Sequence, residues 1–181
     1  MLETSRLILR PWQESDIAPF IQMGLDPDVM HYFPSTLSPD QSRDFIKSIR
    51  LKFDEHPSWG LWAVELKQNQ SFIGYIGLNA QPSQFDFSPC VEISWRLAKA
   101  AWRQGYAFEG AKAVLEYAFE QLKLERVVAF TAAVNVPSEA LMKKLNMTKV
   151  KVFDHPKLAA EHLLARHVLY EIRAEDFSNL I

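Results

Sequence analysis

Two stretches of this chain carry residue types whose spacing suits chemistry. Arg103, Gln104, Gly105, Tyr106, Ala107 and Phe108 stand where an alternating apolar run gives way to a helical period. Such a junction is a helix N-terminus, where backbone N–H groups without internal acceptors and the positive end of the helix dipole attract phosphate. Gly105 lets the backbone approach a pyrophosphate closely, and Ala107 keeps the next turn small. The second stretch is CVEISWRL, in which Val91, Ile93, Trp95 and Leu97 point one way while Cys90, Glu92, Ser94 and Arg96 point the other. A carboxylate is costly to bury on a covered strand, so a cleft on the Glu92 side is the cheaper arrangement. Glu92 then becomes a candidate for proton transfer; its competing role is an ion pair with Arg96, roughly 13 Å farther along an ideal strand.

Other chemistries fail on spacing. The segment GYAFEGAK has two glycines five apart, but Ala111 and Lys112 stand where a Walker A loop needs Lys and then Ser or Thr. No G-x-G-x-x-G occurs, which leaves a dinucleotide fold unsupported. Neither H-E-x-x-H nor paired Cys/His spacing is present, so no metal is expected. The formal net charge of -2 and the lack of a Lys/Arg run argue against nucleic acid. Cys90 is the only cysteine, and the first apolar stretch contains Glu3, Arg6 and Arg10, so neither disulfide, signal peptide nor membrane span is expected. A cytoplasmic protein, monomer or homodimer, is the expectation.

The elements that must position these residues follow from periodicity. A length of 181 residues with 48% hydrophobic content suits a single domain over 1–181. Ser5 to Arg10 alternates and stops at Pro11; a helix capped by Ser15 or Asp16 follows, and another starts after Ser38-Pro39. Residues 60–66, 72–78 and 91–97 read as a meander of strands between turn-rich segments. From Gly105 a long amphipathic helix buries Ala107, Ala111, Val114, Leu115, Ala118, Phe119 and Leu122, with Glu109, Lys112, Glu116 and Glu120 on its polar face. Residues 126–134 are almost continuously apolar, as a doubly covered strand requires. A helix opening at Pro137 and strands over 149–154 and 166–173 complete an α+β architecture around one mixed, largely antiparallel sheet flanked by helices. Ser138 suits capping of that helix through its hydroxyl, and Asn135 a turn that finishes the strand before it.

The run WRQGYAFEGAKAVLEYAF resembles the pyrophosphate-loop motif Q/R-x-x-G-x-G/A of the GNAT superfamily of N-acetyltransferases, with Trp102 departing at its first position. That tryptophan is similar to the subgroup containing ribosomal-protein N-terminal acetyltransferases. The segment Asn135-Val-Pro-Ser138-x-x-Leu141-x-x-Lys144-Leu145-Asn146-Met147 resembles the same subgroup's N-x-x-S-x-x-L/V-x-x-K-L-G-F/M. Asn146 replaces glycine there, and asparagine is the residue that best substitutes for glycine in a left-handed C-cap. SRLILRPW, FIGYIGL, FDHP and RHVLY extend the resemblance over nearly the whole chain.

The resemblance implies a GNAT-type fold whose fourth and fifth strands, near Val91–Leu97 and Arg126–Val134, splay apart to admit acetyl-CoA. Pantetheine amides would pair with backbone at Arg96, Leu97 and Ala98, and the pyrophosphate would meet the N–H groups of Arg103 to Phe108. Asn135 would bond the pantetheine arm. Residues 139–147 lack the tyrosine that many members use to protonate the departing thiolate, so Ser138 is the substitute. Glu92 would be the general base, direct or through water. His155 and His167 would lie on strands that line the acceptor side. The implied activity is transfer of acetyl to a primary amine of a peptide or small molecule, a protein or peptide N-terminal amine being favoured. Alternatives are a non-catalytic acyl-CoA-binding module and an enzyme for small-molecule amines.

Overall fold

The computed structural model describes residues 1–177, which divide into two compact units: Met1–Leu78 with Ser94–Ala113, and Asn79–Ile93 with the chain from Val114 onward. Among the described residues there are eight strands and five α-helices. None of these helices is long and apolar enough to cross a membrane.

In the first unit β1 (Leu2–Glu3), β2 (Leu7–Arg10), β3 (Leu61–Leu66) and β4 (Phe72–Gln81, as far as Leu78) pair antiparallel in sequence order. The last half of β5 (Cys90–Leu97) belongs here as well, and the Ala98 N–H that follows it donates to Ile73 O of β4 at 2.8 Å. Helices α1 (Ile17–Leu25) and α2 (Pro39–Glu55) cover a core of Trp12, Phe20, Met23, Ile46, Ile49, Ala63 and Tyr75. Helix α2 begins as expected: Ser38 accepts from the Gln41 amide, Gln41 bonds back, and Pro39 opens the first turn. The expected cap by Ser15 or Asp16 does not form. A short 3-10 turn, Glu14–Asp16, intervenes, and the buried Asp16 carboxylate takes the Arg10 guanidinium at 2.8 and 2.9 Å instead. A buried carboxylate gains more from a forked guanidinium than from one amide.

In the second unit β5 pairs parallel with β6 (Arg126–Ala132) at Glu92 opposite Val128, and β6 pairs antiparallel with β8 (Arg166–Arg173) from Arg126↔Arg173 to Ala132↔His167. β7 (Thr148–Asp154) lies antiparallel on the other side of β8 with a bulge between Lys149 and Lys151. The fully buried Val127 and Val128 of β6 meet the expectation of a covered strand. Helix α3 (Tyr106–Glu120) starts in the first unit and brings buried Val114, Leu115, Ala118 and Phe119 into the second. Helix α4 (Val136–Lys144) ends at Asn146, whose φ of 61° is the left-handed C-terminal conformation expected of it. Helix α5 (Ala174–Phe177) packs Phe177 on Phe119, ring centroids 5.4 Å apart.

Candidate active site

The α3 N-terminus is built from a turn with two left-handed residues, Arg103 (φ 58°) and Gly105 (φ 82°). Gly105 is the position where a side chain would be strained, since positive φ drives a Cβ toward its own backbone. The first helical bond runs from the Glu109 N–H to Gly105 O at 3.0 Å. The helical ladder of α3 thus starts at Glu109, and a helix N-terminus of this kind attracts an anion. Gln104 braces the turn by donating to Ala100 O at 2.7 Å, and Arg103 and Gln104 are exposed. Tyr106 is buried, while Ala107 and Phe108 are half-buried.

Ala98 uses its N–H on β4. Backbone groups of successive strand residues point to opposite edges, so those of Leu97 are directed away from β4. The Leu97 carbonyl there accepts from Trp102 Nε1 at 2.8 Å. This explains the tryptophan at the head of the loop: its indole N–H ties the turn back to β5. The Arg96 side chain is only 9% exposed, and its guanidinium stacks 4.0 Å over Phe33, with Phe45 and Tyr75 beside it. Its Nε and Nη1 make no hydrogen bond; the ring faces supply part of the lost hydration through cation–π attraction.

Glu92 is half-buried on β5, and its Oε2 accepts from Gln81 Nε2 at 2.7 Å. Neighbouring Cys90 is half-buried too, its thiol pushed up by burial and then by the Glu92 charge. At the end of β6, Asn135 rather than Ser138 caps α4: its Oδ1 accepts the Ser138 amide at 3.2 Å and its Nδ2 donates to Thr131 Oγ1 at 2.9 Å. Asn135 meets the capping need with a longer side chain from one helical turn earlier, and the Ser138 hydroxyl is not needed for it.

His155 and His167 come together, ring centroids 4.8 Å apart, in a cluster with Phe85, Phe130 and Phe153. His167 Nδ1 lies 3.1 Å from Ala165 O and must be the donor there, which leaves the lone pair of the neutral ring on Nε2. Burial pushes both imidazoles below the ordinary histidine value; for His155 the nearby His167 and Lys157 add to it.

Residues 6–148 match the family model for the acetyltransferase (GNAT) domain. The chain belongs to the GNAT family. It is an acetyl-CoA-dependent N-acetyltransferase. YnaD, an uncharacterised N-acetyltransferase of Bacillus subtilis, is 28% identical over 153 residues, which is 84% of this chain and 85% of YnaD. The crystal structure of a GNAT-family acetyltransferase from Bacillus anthracis shares the fold at TM-score 0.81 and 24% identity, covering 96% of this chain and 98% of that one. Two further structures share the fold at lower identity. Spermidine N-acetyltransferase from Vibrio cholerae, in complex with CoA and spermine, has TM-score 0.74 and 17% identity over 97% of this chain and all of its own. RimL, a ribosomal alpha-N-protein acetyltransferase in complex with coenzyme A, has TM-score 0.75 and 15% identity over 94% and 95%.

Within this GNAT chain the structure adds residues that sequence reasoning passed over. Glu109, expected on the polar face of α3, is half-buried and accepts from Thr4 Oγ1 (2.6 Å), Ser5 Oγ (3.1 Å), and the backbone (2.8 Å) and Nε (2.6 Å) of Arg6. Partners about a hundred positions away leave no trace in helical periodicity. Gly110 is buried, and a Cβ there would come within 2.5 Å of Ile76 Cδ1, so any larger residue at that point requires the Ile76 side chain to shift. The signal available for it was its place on the helix one turn past Tyr106, next to the apolar face.

Proposed function

We propose that residues 1–181 act as one N-acetyltransferase domain of the ribosomal-protein N-terminal acetyltransferase-like subgroup, moving acetyl from acetyl-CoA to the α-amino group of a protein or peptide in the cytoplasm. The observation that carries the reading is the turn at Arg103–Gly105, whose positive φ values open the α3 N-terminus beside the β5 backbone. The amides of Arg103, Gln104, Gly105, Tyr106, Ala107 and Phe108 hold the pyrophosphate. Of the backbone at Arg96, Leu97 and Ala98, the Leu97 N–H is the group directed away from β4 and pairs with a pantetheine carbonyl, whereas Arg96 and Ala98 turn theirs toward β4. Asn135 fixes the start of α4 and offers the arm the second hydrogen of its amide nitrogen.

For transfer, the amine must be uncharged, so its ammonium form gives a proton to Glu92 directly or through water. The nitrogen attacks the thioester carbon, a C–N bond forms, the C–S bond breaks, the new amide nitrogen sheds its second proton to solvent, and the thiolate takes the Ser138 hydroxyl proton, which solvent restores. His155 and His167 line the acceptor. An α-amino group, with a pKa of about 7.7–8.0 against about 10.4 for lysine, needs only a modest base near neutrality. The acids near the histidines do not favour a polycation, since Asp86 already holds Lys151 at 2.6 Å and Asp154 holds Arg166 at 3.4 Å. The test is acetyl-CoA turnover on peptides with free and blocked N-termini, spermidine and an aminoglycoside, with the melting temperature measured with and without acetyl-CoA. Free N-termini should be preferred. Preference for spermidine or the aminoglycoside would move the reading to small-molecule amines, and a melting shift without turnover on any amine would favour a binding module.

A further inference from the structure

We infer that Arg6 is a positioning residue for the pyrophosphate loop, acting through the carbonyl of Gln104. This rests on the proposed pyrophosphate role of residues 103–108. Arg6 lies in the turn before β2, and its guanidinium reaches three features of the α3 N-terminus. Nη1 donates to Gln104 O at 2.9 Å, Nε and Nη2 each lie 2.6 Å from Glu109 Oε2, and the group sits 4.5 Å over the Tyr106 ring.

The Gln104 carbonyl and the Gly105 N–H belong to one planar trans peptide and point in opposite directions. Holding the oxygen on the Arg6 side therefore fixes the Gly105 N–H toward the other side. A glycine at positive φ flanked by flexible torsions would otherwise let this peptide turn over. The hold itself is rigid, because the Glu109 carboxylate that anchors Arg6 is fixed by Thr4, Ser5 and the Arg6 backbone. Burial raises the Glu109 carboxyl and these hydrogen bonds more than offset it, leaving a carboxylate that stays charged at neutral pH. A planar guanidinium can serve a carboxylate and a carbonyl at once, whereas one ammonium presents a point charge without that fork.

The experiment compares acetyl-CoA with S-acetylpantetheine, which has the thioester and pantetheine amides but no pyrophosphate. Wild-type enzyme should prefer acetyl-CoA. Arg6→Ala and Arg6→Lys should each raise KM for acetyl-CoA about 10- to 100-fold, the usual cost of losing a hydrogen bond to a charged group, and leave KM for S-acetylpantetheine within about twofold. Arg6→Lys keeps the charge and most of the stem, so it remains testable if the alanine variant does not fold. A lysine variant that uses acetyl-CoA like wild type would show that charge alone suffices and would overturn the proposal. Equal rises for both donors, the mark of a merely structural role, would overturn it too. A wild-type enzyme with no preference between the donors would overturn the pyrophosphate role of the loop itself, whereas unchanged variants alongside a clear preference would overturn only the role of Arg6.

Discussion

Glu92 and Ser138 stand on different elements of the second unit, β5 and α4. Glu92 pairs with Val128 of β6, and Ser138 lies in the first turn of the helix that follows the strand end at Ala132. In the proposed mechanism the two groups act on different protons, Glu92 on the amine and Ser138 on the thiolate. Their variants should then separate. Glu92→Gln should lower turnover by roughly 10²- to 10⁴-fold with acetyl-CoA affinity little changed. Ser138→Ala should lose less, since a thiol with an ordinary pKa of about 8.5 can leave as thiolate and be protonated by water. Because Asn135 makes the capping bond, Ser138→Ala should also leave the melting temperature nearly unchanged. Wild-type turnover in Glu92→Gln, or a large loss of stability in Ser138→Ala, would end this assignment.

At the scale of elements, the α3 N-terminus joins sequence to function most directly. Gly105→Val introduces a β-branched side chain at φ 82°, and its Cβ would also sit 3.3 Å from Arg6 Nη2. The turn should open and the thermal shift given by acetyl-CoA should largely vanish; an unchanged dissociation constant would place the phosphate elsewhere. Most elements were legible because they satisfy local rules. Strand β8 has the bounds its apolar alternation suggests, α2 starts at a capping box, and Asn146 closes α4 where glycine would. The elements that escaped are short or tied to distant partners. β1 has two residues, too few for a period, and exists because Leu2 and Glu3 pair with Leu9 and Ile8. The loop motif was visible in the sequence, but the Arg6–Glu109 brace behind it was not, since each residue alone reads as a solvated charge.

For the molecule as a whole, half-buried ionisable groups set the pH range of stability, and they divide into two windows. Glu109 and Glu139 have folded values below the carboxylate norm; for Glu139 the largest cause is the Tyr170 hydroxyl, which donates to it at 2.6 Å. Stability from depressed carboxylates is present above their unfolded pKa, about 4.3, and is lost as pH falls through the lower folded value. His155 and His167 are also depressed, chiefly by burial. For a histidine, however, a lowered pKa means that the unfolded chain binds the proton more readily, so stability is full above about pH 6.5 and declines as pH falls from there toward the folded values. The surroundings reinforce the decline: a proton on either ring meets the other imidazole 4.8 Å away, with Lys157 near His155, while Asp154 is engaged with Arg166. The wild-type melting temperature should therefore begin to fall between pH 7 and 5, well before the carboxylates respond. His155→Gln with His167→Gln should flatten that slope while leaving the loss below pH 4.5 in place. Repacking of the phenylalanine cluster would shift the double variant's melting temperature equally at every pH, so the slope isolates protonation. Matching slopes in wild type and double variant between pH 7 and 5 would mean that these imidazoles do not limit the acid stability of the fold.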